Sequence, residues 1–284
     1  MTRQTTILAL VFALLGGCAV DTTVPGTGPS GLDGKADIIA DDPGSEAPPS
    51  RVELKVTIDP DQIEDAIEAL ELDEDDAERR YITYYDTEDL DFFEAGLVLR
   101  SRKIIDDDDD SSVKMRPMTA DEAWGLIPDY FEEDGFKCEI DRTPSRETSS
   151  CSLKAKQHRG EIDDVADGER DLDKLFSSEQ ENLVDLFAPE GFDWDDLEIL
   201  GPVDTQRWEW DVEALGGEEL TVELWQMPDG GTLMELSIKV EQEESVDAMQ
   251  ALLAYVADHG LSLDDAQTTK TRRVLTHFAG GTDR

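Results

Sequence analysis

Short segments spread along this chain repeatedly place charged side chains two residues apart with apolar ones between them. Arg51-Val52-Glu53-Leu54-Lys55-Val56 sets Arg, Glu and Lys against Val, Leu and Val. Leu99-Arg100-Ser101-Arg102 and Val113-Lys114-Met115-Arg116-Pro117 each offset two cations from their neighbours, and Lys137, Glu139 and Asp141 alternate in the next segment. Lys154 and Lys156 follow, and Val222-Glu223-Leu224 and Met234-Glu235-Leu236-Ser237-Ile238-Lys239-Val240 repeat the arrangement with acidic groups added. Residues i and i+2 share one face of a strand, so each segment is a strand with one apolar and one charged face. One such strand means only a solvated face over a core. The set means more, because the chain has 69 acidic and 25 basic residues and a net charge of −44. Against that background Arg100/Arg102, Lys114/Arg116 and Lys154/Lys156 keep like charges about 7 Å apart along a strand. That repulsion is tolerable where something anionic sits between the cations. A closed antiparallel barrel with a polar lumen and an apolar outside covered by helices brings the rows together. The expected class is therefore α+β, with a lumen suited to a polyanion.

Three amphipathic stretches supply the covering helices. Residues 60–71 follow Asp59, an N-cap residue, and carry Ile63, Ala66, Ile67 and Leu70 at helical spacing. Residues 172–187 contribute Leu175, Phe176, Leu183, Leu186 and Phe187, and residues 246–258, between Ser245 and Gly260, contribute Met249, Leu252, Leu253 and Val256. Gly216-Gly217 and Asp229-Gly230-Gly231 mark tight turns between late strands. Thr143-Pro144-Ser145-Arg146 is a further turn signal, and folding about it sets Cys138 opposite Cys151 in a hairpin. A disulfide suits an exported chain, and a reduced pair is the alternative. Two cysteines alone make a poor zinc site. The run from Asp106 to Asp110 lacks the alternating ligands and glycine of calcium loops and reads as a solvated loop. His158, His259 and His277 have no metal-type spacing.

The N-terminus has the form of an export signal: Arg3, then an apolar run from Ile7 to Leu15, less than half of the roughly 20 residues a membrane span needs. Leu15-Gly16-Gly17-Cys18 resembles the lipobox of bacterial lipoproteins. The expectation is a signal peptide over 1–17, lipidation at Cys18, and placement at the cell envelope facing the periplasm or exterior. Residues 18–50, rich in Pro, Gly, Asp, Ser and Thr with no periodic apolar pattern, read as a flexible tether. The remaining 51–284 suffices for one domain with a substantial core. The acidic charge argues against nucleic acid, or an anionic membrane surface, as a partner for the bulk of the protein.

Tyr84-Tyr85-Asp86-Thr87-Glu88-Asp89-Leu90-Asp91-Phe92-Phe93-Glu94-Ala95-Gly96-Leu97-Val98-Leu99-Arg100-Ser101-Arg102 resembles the most recognisable stretch of the CYTH superfamily, the triphosphate tunnel metalloenzymes. The order of the other charged strands agrees, over roughly 51–275. The resemblance implies an eight-stranded antiparallel β-tunnel, flanked by helices, that binds a triphosphate with Mg²⁺ or Mn²⁺. It implies that Lys55, Arg100, Arg102, Lys114 and Arg116 hold phosphates, that Arg207 and Lys239 close the phosphate path, and that Glu53 and Glu235, then Glu139 and Glu223, ligate metal. Lys154 and Lys156 join the phosphate-binding set from the strand pattern. Two carboxylates of the family pattern are replaced here, by Arg51 and Ser237, which weakens a hard-cation site. Two functions follow from the resemblance: a metal-dependent phosphohydrolase of inorganic or organic triphosphates, or a non-catalytic binder of polyphosphate or another anionic ligand. Adenylate cyclase activity is a distant third, because ATP is scarce outside the cytoplasm.

Overall fold

The structure, a computed structural model, describes residues 51–266 and 269–279. The lipobox cysteine Cys18, the signal peptide and the tether lie outside the described residues.

The alternating segments form strands. β1 (Arg51–Thr57) leads through a 3₁₀ turn, capped by the Asp59 side chain accepting from the Asp61 N–H, into α1 (Ile63–Ala69). There follow β2 (Glu78–Asp86), the single turn α2 (Asp91–Glu94), β3 (Leu97–Ile104), β4 (Asp109–Met115) and α3 (Ala120–Leu126). The hairpin β5 (Phe136–Arg142) and β6 (Glu147–Gln157) precedes α4 (Glu161–Ala166) and α5 (Ser178–Phe187). Three long strands come next, β7 (Glu198–Val212), β8 (Glu218–Gln226) and β9 (Thr232–Val240), and the chain ends in α6 (Ser245–Asp258) and α7 (Lys270–Phe278).

The strands close into one barrel in the order β1-β5-β6-β4-β3-β2-β7-β8-β9. This corrects the expected eight-stranded antiparallel tunnel, since the ring has nine strands and β1 runs parallel to β5, from Arg51↔Glu139 to Leu54↔Arg142. The reason is topological: a closed ring with an odd number of strands cannot alternate direction throughout. Gly201 lies within β7 at φ +149, where a Cβ would meet the Ile82 carbonyl oxygen at 2.9 Å, so this close passage beside the β2/β7 irregularity needs glycine.

Two apolar clusters cover the outside. α1 and α6 pack Ile63, Ala66, Met249, Leu252 and Val256 on the outward side chains of β1, β8 and β9, among them Leu54, Val222 and Leu236. On the other side Ala123, Val165, Leu183 and Val184 cover Leu97, Leu99, Val113 and Leu153. Gln180 of α5 is buried there and fully used: it accepts from the Ser177 N–H as part of a capping box, and its amide donates to the carbonyls of Ser111 and Leu153. Cys138 and Cys151 are direct cross-strand partners and form a disulfide with Cα atoms 4.0 Å apart. A third cluster joins Ile82, Tyr84, Val203, Trp225 and Leu233 to Val274 and Leu275 of α7. Ile82, Tyr84 and Trp225 pair across the sheet with Arg102, Arg100 and Thr205, so this cluster lies on the lumen face and α7 closes that end of the barrel.

Candidate anion-binding tunnel

Cross-strand partners share a face, so the register shows which predicted residues meet inside. Glu53 stands opposite Lys239 and Asp141, Lys55 opposite Ser237, Glu223 opposite Arg207 and Glu235, and Glu139 opposite Arg51. Arg100 and Arg102 lie opposite Ser112 and Asp110, and Lys114 opposite Val98 and Ser152. The alternation in the sequence thus becomes a charged lumen.

Asp141 is the hub. Its carboxylate is only 5% exposed and receives three cations: Lys55 at 2.9 Å, Lys114 at 3.3 Å and Arg116 at 2.6 Å. Burial opposes its ionisation, but Lys55, Lys114 and Arg116 outweigh it and hold the carboxyl far below the usual range. Burial likewise opposes the charge on Lys55, yet Glu53 and Asp141 push it well above the ordinary lysine value. Lys114 goes the other way: burial, only partly offset by Asp141, brings it down to about 8. Glu53, bonded to Lys55 at 3.0 Å, is held low by that neighbour against the effect of burial.

Arg100 differs from these cations. Its Nε is shut off from solvent without a hydrogen-bond partner, and among the described residues the guanidinium makes no ion pair. Burial and then the adjacent Arg102 depress its pKa. Arg102 itself is held in a fork by Asp110, Nε to Oδ1 at 2.9 Å and a terminal nitrogen to Oδ2 at 2.8 Å. Asp109 is also buried and accepts from the Ile104 N–H, so the end of the acidic run belongs to β4 and not to a solvated loop.

Glu223 and Glu235 are neighbours across β8 and β9, and between them sits the ammonium of Lys270 from α7, bonded to Glu223 and to Glu235 Oε1 at 2.9 Å. The same ammonium lies 5.0 Å from the Trp225 ring centroid. Glu223 is ionised against burial chiefly by Lys270, and Lys270 is raised against burial by Glu223 and Glu235. Arg80 pairs with Glu78 and approaches Glu223 at 3.8 Å.

The remaining predicted residues are peripheral. β5 starts at Phe136, opposite Leu153, so Lys154 and Lys156 project from an overhanging end of β6. Both are exposed, and Lys156, 81% exposed, pairs with Asp108. Arg207 pairs with Glu209, and Lys239 lies 3.7 Å from Glu139, which also holds Lys137. Arg51, Arg207, Glu209, Thr221, Ser237 and Lys239 line a cavity of about 280 Å³.

The donor set does not fit a divalent ion as it is arranged. Each predicted carboxylate already carries a lysine: Glu53 has Lys55, Glu139 has Lys137, and Glu223 and Glu235 share Lys270. Arg51 and Ser237 supply no carboxylate in return, and among the described residues no three acidic, His or Cys side chains gather as ligands. Asp141, Asp110, Arg80 and Lys270 were not singled out from the sequence. Only Asp141 left a signal there, as the third member of the Lys137-x-Glu139-x-Asp141 face.

A closed barrel whose inner face gathers Lys55, Arg80, Arg100, Arg102, Lys114 and Arg116 among their carboxylate partners forms a charged tunnel, and this fold is shared with solved structures. Among solved structures it is similar to an adenylate cyclase candidate from Bacillus halodurans, at 16% identity over 79% of this chain and 97% of that one, with a TM-score of 0.53. A Hippeastrum adenylyl cyclase candidate, with a dominant triphosphatase activity, matches at 16% identity over 79% of this chain and 95% of that one, with a TM-score of 0.56. No family model and no curated protein matches the sequence. At these identities the likeness carries the fold alone.

Proposed function

We propose that this protein binds a linear triphosphate or polyphosphate inside the barrel. The observation that carries this reading is Arg100, a guanidinium inside the barrel with a solvent-shielded, unpartnered Nε and, among the described residues, no ion pair, on the same strand face as Arg102. A half-buried guanidinium without an ion pair is partly stripped of water, and an anionic ligand offsets that loss. A chain of phosphates matches the row of cations, and both Lys and Arg serve as phosphate donors. Hydrolysis is the second reading, favoured by the triphosphatase activity of the Hippeastrum protein. It is the weaker one, because the carboxylates that would hold Mg²⁺ or Mn²⁺ are engaged by lysines.

Calorimetric titration of the purified protein with tripolyphosphate, alongside phosphate-release assays with Mg²⁺ and then Mn²⁺, separates the two. Saturable binding without turnover is expected. Turnover with either metal would establish the hydrolase instead, and the absence of any binding would remove the tunnel reading altogether.

We further propose that this tunnel stands at the cell envelope, anchored through Cys18, a reading supported by the lipobox-like Leu15-Gly16-Gly17-Cys18. Multiple acyl chains hold a protein stably where one chain does not. Replacing Cys18 with serine is expected to move the protein from the membrane to the soluble fraction, and continued membrane retention would refute the anchor.

A further inference from the structure

We infer that Lys270 is the built-in cation of the Glu223/Glu235 pair, so that the tunnel takes its polyphosphate without a divalent metal. The inference rests on the polyphosphate reading and narrows it to metal-free ligand.

Three observations carry it. First, one ammonium contacts both carboxylates, Glu223 and, at 2.9 Å, Glu235 Oε1. A divalent ion seated between those two carboxylates, at about 2.0–2.6 Å from an oxygen of each, would take the place the ammonium now fills. Second, Lys270 opens α7, where the helix dipole disfavours a cation and the first turn contains no acid. Its position is explained by the two carboxylates ahead of it and by the face of Trp225. Third, the helix that delivers it is fastened. Arg273 binds Asp229 through two bonds of 2.9 Å, Arg272 lies over Phe93 at 5.0 Å, Thr271 meets the Tyr84 hydroxyl at 3.4 Å, and Val274 and Leu275 are buried in the plug. Withdrawing the ammonium by moving the helix would break all of these together. Loss of the two family carboxylates to Arg51 and Ser237 fits the same outcome, since a site whose cation is part of the chain needs fewer anionic ligands.

The test compares tripolyphosphate affinity of the full protein in excess EDTA and in excess Mg²⁺. Affinity in EDTA is expected to equal or exceed that in Mg²⁺. A fall of about tenfold or more on removing metal would overturn the inference while leaving the polyphosphate reading intact, and absence of binding in both buffers would overturn that reading and the inference with it. A second measurement uses Mn²⁺ alone, followed by electron paramagnetic resonance. The native protein and Lys270→Arg are expected to leave Mn²⁺ free, and Lys270→Met, with the pair uncovered, to bind it at least about tenfold more tightly. Native protein that binds Mn²⁺ as well as Lys270→Met does, with both losing it on Glu223→Gln, would overturn the inference, as would a folded Lys270→Met that takes up no Mn²⁺. Thermal melting checks folding. Should Lys270→Met not fold, the EDTA comparison on native protein decides alone.

Discussion

Asp141→Ala is expected to destabilise the protein by about 3–5 kcal/mol, the cost of leaving buried charges without their counter-ion. Three cations converge on this carboxylate, and removing it leaves the half-buried Lys55, Lys114 and Arg116 repelling one another inside the barrel. Urea unfolding measures the loss, and a change below about 1 kcal/mol would show that the cations disperse without it. Added tripolyphosphate should restore part of the stability of Asp141→Ala, because it supplies negative charge to the same cations. The pH dependence follows from the direction of the shift. The Asp141 pKa is lowered on folding, so its contribution is complete above the ordinary aspartate value of about 4 and is lost as pH falls below it. Asp141→Asn should lack that component of the acid-induced loss.

Charge reversal at the centre of the tunnel is expected to abolish binding. Arg100→Glu and Lys114→Glu should each weaken tripolyphosphate by at least about 100-fold, roughly 2.7 kcal/mol, since each replaces an attractive contact by a repulsive one inside the barrel. Calorimetry on each variant checks this, and unchanged affinity in either would move the ligand out of the barrel. In the native protein, affinity should also decline as pH rises through about 8, where Lys114 of the empty tunnel loses its proton. Lys156→Glu is the control, because its ammonium is exposed on the β6 overhang beside Asp108 and its reversal should change little.

Much of this architecture was legible because a strand has period two. The alternation in β1, β3, β4, β5, β6, β8 and β9 placed Lys55, Arg100, Arg102, Lys114, Glu223 and Glu235 on the inner face, where the register puts them. The Cys138/Cys151 pairing was legible for the same reason, since turn and spacing fix a hairpin's register. Three features were hidden. β7 contains Gly201-Pro202, which breaks the strand signal midway. The parallel contact of β1 with β5 joins distant segments and leaves no mark in either. α7 is short and opens with Lys-Thr-Arg-Arg, so its sequence reads as a basic tail; only the placement of Val274 and Leu275 against Trp225 and Leu233 turns it into a plug. The carboxylates were therefore found and their partner was not. Spacing reveals which residues share a face, but not which distant side chain arrives to meet them.

The position of β1 has a consequence for how the molecule forms. This strand is flanked by β5 from mid-chain and by β9 near the end of the barrel sequence, so the ring cannot be sealed until the last strand exists. Contacts between distant segments are slow to make, because the entropy of closing long loops is spent before any of them rewards it. Lys55 meets Asp141 only after β1 joins β5, and Glu223 meets Glu235 only after the β8–β9 hairpin forms. A truncated chain can gather the charges around Asp141 but cannot enclose them, so the closed tunnel reports the completed topology.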